Sequence, residues 1–124
     1  MTRTVLIVED TDLCLDALEL ALTQVPGVRV RTVGTAEQAL RCLAEDDFCA
    51  LVTDLHLPQM DGFELIQAVR SQPQRSSLPI LVISGDSDPR TPARLAGLGA
   101  NAYFPKPYSP AEVRSRLEQL IDAS

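Results

Sequence analysis

Short, unbroken apolar runs occupy residues 4–9, 49–53, 79–84 and 101–104. Runs of that length without polar alternation are the mark of strands covered on both faces. Residues 28–33 differ, because Val28-Arg29-Val30-Arg31-Thr32-Val33 alternates, so this strand has one solvated face and belongs at a sheet edge. Between the runs, apolar residues recur at helical spacing. They fall at Leu15, Leu18, Leu22 and Val25, at Ala36, Ala39, Leu40 and Leu43, at Phe63, Leu65, Ile66 and Val69, and at Val113, Leu117, Leu120 and Ile121.

Capping signals mark where several of these helices begin. Thr35 with Gln38, and Asp61 with Glu64, have the spacing at which each side chain satisfies the other residue's free backbone N–H. Ser109 with Glu112 repeats it, and Pro110 fills the first helical position, where the missing N–H does no harm. The segment between the fourth and fifth strands is weaker. It opens with Asp88-Pro89-Arg90-Thr91-Pro92 and closes with Ala96-Gly97-Leu98-Gly99, leaving only a few turns with glycine inside and after them. A short, easily displaced helix is expected there.

Strand and helix alternate five times along the chain. Right-handed crossovers then require a parallel sheet with helices on both faces, a doubly wound α/β fold in three layers. The edge character of the second strand selects the order 2-1-3-4-5. Ligands of such sheets bind beyond the carboxyl ends of the strands, at the switch point between strands 1 and 3. Glu9 and Asp10 follow the first strand, Asp54 follows the third with Asp61 in the loop beyond, and Lys106 lies just past the fifth. Acids crowded in this way repel one another by roughly 1 kcal/mol per pair at about 4 Å in water, and about 4 kcal/mol in a protein-surface dielectric. A cation is needed among them, and a divalent metal is the obvious choice.

Composition narrows the class of protein. The chain has 124 residues, enough for one domain over 1–124 with a real core, and its 45% apolar and 23% charged content is that of a folded globular protein. A net charge of −6 without any lysine- or arginine-rich block offers no footprint for direct nucleic-acid binding. The start, Met1-Thr2-Arg3-Thr4, lacks the apolar core of a signal peptide, and no stretch approaches the roughly 18 apolar residues that span a bilayer, so a cytoplasmic location is expected. Cys14, Cys42 and Cys49 match no metal or redox spacing and read as reduced, packed thiols. His56 is the only histidine, which excludes a multi-histidine metal site within one chain.

Four motifs in order give the pattern its specificity: Glu9-Asp10; Asp54-Leu55-His56-Leu57-Pro58-Gln59-Met60-Asp61-Gly62; Ser84-Gly85; and Lys106-Pro107. Together they resemble the receiver domain of two-component response regulators, over the whole chain. The resemblance implies a flavodoxin-like fold and makes Asp54 the phosphoacceptor, loaded by a sensor histidine kinase or a phosphotransfer protein. It implies magnesium, with manganese as substitute, held by Asp10, Asp54, the backbone carbonyl of His56 and Glu9 through water. Lys106 and Ser84 become donors to the phosphoryl group, Tyr103 a switch residue, and the Lys106-Pro107 bond cis, which proline allows. The side chains of His56 and Asp86 are candidates for tuning hydrolysis of the acyl phosphate, and Asp61 for capping the third helix. The changed surface would be helix 4, strand 5 and helix 5, offered to a downstream effector or to a second copy in a phosphorylation-dependent homodimer.

The expected protein is thus a phosphorylation-dependent switch, not a turnover enzyme. Two other readings compete: a degenerate receiver acting as a constitutive interaction module, and an aspartyl-phosphate phosphatase of the haloacid-dehalogenase kind. The phosphatase would want an acid two residues after its nucleophile, where this chain has His56. Ser84 stands where the family more often has threonine, and Gly85 where alanine is more usual, which bears on phosphate lifetime. Because Met1 begins close to the first strand and Ser124 follows the last helix directly, a stand-alone receiver is expected over one excised from a larger regulator or hybrid kinase.

Overall fold

The computed structural model describes residues 3–10 and 15–122; Cys14 lies outside the described residues. The strands β1 (Arg3–Val8), β2 (Val28–Val33), β3 (Ala50–Asp54), β4 (Ile80–Ser84) and β5 (Ala102–Pro105) form one parallel sheet in the order β2-β1-β3-β4-β5. The helices α1 (Leu15–Thr23), α2 (Ala36–Glu45), α3 (Gly62–Arg70), α4 (Thr91–Leu98) and α5 (Pro110–Asp122) connect and follow them. A short 3₁₀ turn over Pro73–Arg75, for which the sequence pattern had no signal, precedes β4.

Period-two alternation splits the core into two layers. Val5 and Ile7 of β1 face Leu18 and Leu22 of α1 and Leu117 of α5. Leu6 and Val8 face Leu43 of α2, Ile66 of α3 and Leu95 of α4. The edge strand β2 keeps Arg29 and Arg31 exposed and Val28 buried, as its alternation predicts. The fifth strand departs from expectation. Its apolar run reads as covered on both faces, yet Ala102, Tyr103 and Phe104 are only half-buried, because β5 is the opposite edge and no strand pairs beyond it.

Both internal capping boxes form. Thr35 Oγ1 accepts from Gln38 N–H at 3.1 Å while Gln38 Oε1 accepts from Thr35 N–H at 3.2 Å. Asp61 Oδ1 accepts from Glu64 N–H at 2.9 Å, and Glu64 Oε1 from Asp61 N–H at 3.3 Å. At α5 the Ser109 hydroxyl accepts from Glu112 N–H at the longer distance of 3.4 Å. Cys42 and Cys49 are free and half-buried, and burial pushes the Cys49 thiol up.

The fourth helix is short, as its glycines predict, but its C-terminal end is well tied. Gly99 takes the left-handed conformation (φ 101°) that a non-glycine residue resists. The Arg70 guanidinium covers that turn. Its Nε and Nη2 donate to the Gly99 carbonyl at 3.1 and 2.7 Å, Nη2 also reaches Asn101 Oδ1 at 3.1 Å, and Nη1 donates to the Arg75 carbonyl at 2.9 Å. Burial holds the Arg70 pKa below the ordinary arginine value.

Candidate functional site

Register places the acids. Val8 lies opposite Thr53, so Glu9 and Asp54 sit side by side one step further along two neighbouring strands. Asp54 lies opposite Ile83 and Ser84 opposite Pro105, so Ser84 and then Lys106 arrive at the same sheet end. Asp54 and Glu9 are nearly closed to solvent, at 4% and 7% exposure, and Ser84 is fully buried.

Lys106 joins the two buried acids. Its Nζ lies 2.6 Å from Asp54 Oδ2 and 3.1 Å from Glu9 Oε2. Burial pushes the Lys106 pKa down, but the hydrogen bonds to Asp54 and Glu9 outweigh it and leave the ammonium above its ordinary value. The Lys106 backbone N–H donates to the Ser84 carbonyl at 2.7 Å, and the Lys106–Pro107 peptide is cis. The other Asp54 oxygen, Oδ1, accepts from His56 N–H at 3.1 Å. The Thr53 hydroxyl donates to the Asp54 carbonyl at 2.8 Å.

The helix that follows presses directly on this strand end. A methyl at Gly62 would lie 2.4 Å from the Asp54 carbonyl oxygen and 2.7 Å from Leu55 Cα, so glycine is what lets α3 start there. Gln59, in the connecting loop, has a positive φ of 67°, an uncommon conformation outside glycine. Asp61 caps α3, the role its spacing predicts.

The remaining predicted residues occupy distinct positions. Asp10 is exposed just beyond Glu9, and His56 is exposed in the loop after β3. The Ser84 hydroxyl accepts from Asp86 N–H at 3.1 Å, and the Tyr103 hydroxyl donates to the Asp86 carbonyl at the same distance. Burial, followed by the nearby Asp86 charge, raises the Tyr103 pKa. The Asp86 carboxylate turns to α4: Oδ1 accepts from Asp88 N–H at 2.8 Å and Oδ2 from the Thr91 hydroxyl at 3.1 Å. Thr91, buried at 3%, was not among the sequence candidates; its position in a Thr-Pro pair at a helix start was the only available signal.

Two buried carboxylates and one ammonium leave a residual negative charge at the sheet end, increased by Asp10 at its mouth. Among the described residues, no three His, Cys, Asp or Glu side chains form a metal-holding group. Glu9 contacts Lys106 directly, at 3.1 Å. The donor set nonetheless suits magnesium, whose hard-oxygen shell takes only one or two carboxylates and keeps several waters. Carboxylates at the tips of β1 and β3 and the carbonyl of His56 are donors of that kind.

Comparison with known proteins agrees with this arrangement. Over 119 residues the chain is 31% identical to the transcriptional regulatory protein GltR of Pseudomonas aeruginosa, covering 96% of this chain and 49% of GltR, so it spans about half the length of that relative. The chemotaxis response regulator CheY4 of Vibrio cholerae superposes with a TM-score of 0.83 at 27% identity, over 97% of this chain and 99% of that one. The receiver domain of the sensor histidine kinase PA1611 from P. aeruginosa, whose active-site cleft holds a coordinated magnesium ion, superposes with a TM-score of 0.85 at 26% identity, over 98% and 99%. The response regulator receiver domain family matches residues 5–118. A doubly wound sheet of this order, its acids and lysine gathered at one end, and a family match over nearly its whole length make this chain a member of the response regulator receiver domain family, the phosphorylation-based signalling modules of two-component systems.

Proposed function

We propose that the chain is a phosphorylation-dependent switch in which Asp54 accepts a phosphoryl group from a phosphohistidine on a sensor kinase or phosphotransfer protein. The observation that carries this reading is the Lys106 ammonium held 2.6 Å from Asp54 and 3.1 Å from Glu9. It is a fixed donor beside a buried carboxylate, ready to neutralise charge on an incoming phosphoryl oxygen. Such transfer is mainly a matter of positioning and charge stabilisation.

An Asp54 oxygen forms the new bond to phosphorus, and the phosphorus–nitrogen bond to the donor imidazole breaks. The imidazole nitrogen keeps the bonding pair and takes a proton from water, leaving a neutral ring. Lys106 then passes from the carboxylate to the phosphoryl group, and the Ser84 hydroxyl donates to another of its oxygens; both bonds strengthen as the acceptor becomes more negative. Glu9, Asp10, Asp54 and the His56 carbonyl are the residues that would hold magnesium, or manganese in its place. The ion would supply further neutralisation of phosphoryl charge.

Output follows from rearrangement of α4, β5 and α5, with Tyr103 on that surface, for a downstream effector or a second copy of the chain. The chain promotes its own phosphorylation and dephosphorylation and does not turn over a small substrate. No helix among the described residues is long and apolar enough to cross a membrane.

Incubation with acetyl phosphate and magnesium tests the reading by intact mass. Wild type is expected to gain one phosphoryl group and Asp54→Asn none, with the same fold by circular dichroism. Label persisting in Asp54→Asn would refute the acceptor. A wild type that takes no label is a constitutive binding module, and steady turnover of an added phosphate ester would indicate a phosphatase.

A further inference from the structure

Asp86 makes four hydrogen bonds that tie together β4, β5 and α4. Its N–H donates to the Ser84 hydroxyl, its carbonyl accepts from Tyr103, and its carboxylate accepts from Asp88 N–H and from the Thr91 hydroxyl. Asp86, a candidate for tuning acyl-phosphate hydrolysis, has both carboxylate oxygens engaged on the α4 side.

The two ends of α4 are held differently. The C-terminal end is tied by Arg70, whose guanidinium donates twice to the Gly99 carbonyl. At the N-terminal end, Arg90 supplies no side-chain cap. Thr91 holds that end through its N–H to the Asp88 carbonyl at 3.1 Å and its hydroxyl to Asp86 Oδ2 at 3.1 Å. Between them, Leu95 is buried and Arg94 lies 3.7 Å over the Phe63 ring. One end is a fixed pivot; the other is held by Thr91 and by the Asp88 carboxylate, which accepts from Arg90 N–H at 2.9 Å.

We propose that Asp86 is a positioning residue that couples Ser84 to α4: its carboxylate latches Thr91 at the first turn, and withdrawal of the Ser84 hydroxyl releases the latch. This rests on the reading above, in which Ser84 turns to a phosphoryl group on Asp54. The Ser84 backbone is held in β4, its carbonyl accepting from Lys106 N–H, so its hydroxyl rotates while the main chain stays. Asp86 N–H then loses its acceptor, and an N–H left without one at this half-buried residue is unfavourable, so the loop moves to find another partner. Gly85 lets it move, since even a methyl there would meet nothing within 4 Å. Because Thr91 and Tyr103 bond the same residue, both respond together.

Amide hydrogen exchange by NMR tests this on wild type, Thr91→Val and Thr91→Ser, each with and without beryllofluoride and magnesium as the phosphoryl stand-in. In ligand-free Thr91→Val, which keeps shape but loses the hydroxyl, the amides of Asp88, Thr91 and Leu95 should exchange roughly tenfold faster than in wild type, the scale of one lost hydrogen bond. Thr91→Ser, which keeps the donor, should restore wild-type protection and serves as the folded control. In wild type, the stand-in should raise exchange in α4 to the Thr91→Val level. In Thr91→Val it should still shift the amides around Asp54 while adding little in α4. Wild-type protection in ligand-free Thr91→Val, or an equal ligand response in both proteins, would overturn the latch. If the stand-in shifts nothing near Asp54 in any variant, the phosphoacceptor reading fails instead, and the ligand-free comparison still decides whether Asp86 holds Thr91.

Discussion

Replacing Lys106 with methionine should slow acetyl-phosphate labelling of Asp54 about a hundredfold, the usual effect of deleting one fixed donor from a charge-stabilising site. The same change should lower stability. Glu9 and Asp54 are each nearly buried and adjacent, and Lys106 is the cation 3.1 and 2.6 Å from them. Removing one partner of a buried ion pair costs about 3–5 kcal/mol, and the partial exposure of Lys106 puts the expected loss at the lower end, about 3 kcal/mol. Urea midpoints at neutral pH measure it. Because Lys106 is held above its ordinary value of 10.5, the contribution of the ammonium is fully present below that pH and is lost as pH rises through the higher folded-state value. The gap between wild type and Lys106→Met should therefore narrow in strong alkali. Equal labelling rates and equal midpoints for the two proteins would show that the ammonium does neither job.

The division between what was legible in the sequence and what was not follows contact range. Strand tips, helix caps and the sheet order are encoded locally, in apolar runs, in Thr35 with Gln38, in Asp61 with Glu64 and in the alternation of residues 28–33. The convergence of Glu9, Asp54 and Lys106 also follows, because parallel strands must end together once their order is known. Partner choice within that cluster does not. Lys106 follows β5 and reaches Asp54 across β4, a span of two strand spacings or roughly 10 Å, and goes on to Glu9 at the tip of β1. The same holds for Arg70, whose bonds to Gly99 and Asn101 join residues 29 and 31 positions apart. A last-turn arginine in sequence looks like a dipole-compensating surface charge, and only the approach of α3 to the end of α4 makes it a half-buried brace. Asp86 is an intermediate case. Its bonds to Asp88 and Thr91 are local turn chemistry within Asp86-Ser87-Asp88-Pro89-Arg90-Thr91, but the role they create depends on Tyr103 arriving from another strand.

Gly62→Ala should be the most destabilising single-methyl addition to this site. The added carbon would stand 2.4 Å from the Asp54 carbonyl oxygen, 2.7 Å from Leu55 Cα and 3.0 Å from Leu55 Cδ2. Two of those three atoms are backbone and cannot rotate away, so relief requires separating the start of α3 from the end of β3. That movement strains the Gly62 N–H bond to the Leu55 carbonyl, now 3.0 Å, and draws on a helix whose Leu65, Ile66 and Val69 are fully buried. Overpacking a close-packed interior costs typically 1–3 kcal/mol, and a clash against main chain belongs at or above the top of that range. For a domain of this size, about 3 kcal/mol lowers the melting temperature by roughly 10 °C or more. Gly97→Ala is the matched control. Gly97 is exposed near the end of α4, where a methyl meets nothing within 4 Å, so the gain in helix propensity should stabilise by about 0.5–1 kcal/mol. The two glycines should therefore shift the melting temperature in opposite directions. Labelling adds a second axis: displacement of the Asp54 peptide should slow acetyl-phosphate transfer in Gly62→Ala even at temperatures where the variant remains folded. A Gly62→Ala melting temperature within a few degrees of wild type would mean that α3 can withdraw from β3 without resistance, and that the contact between them does not position Asp54.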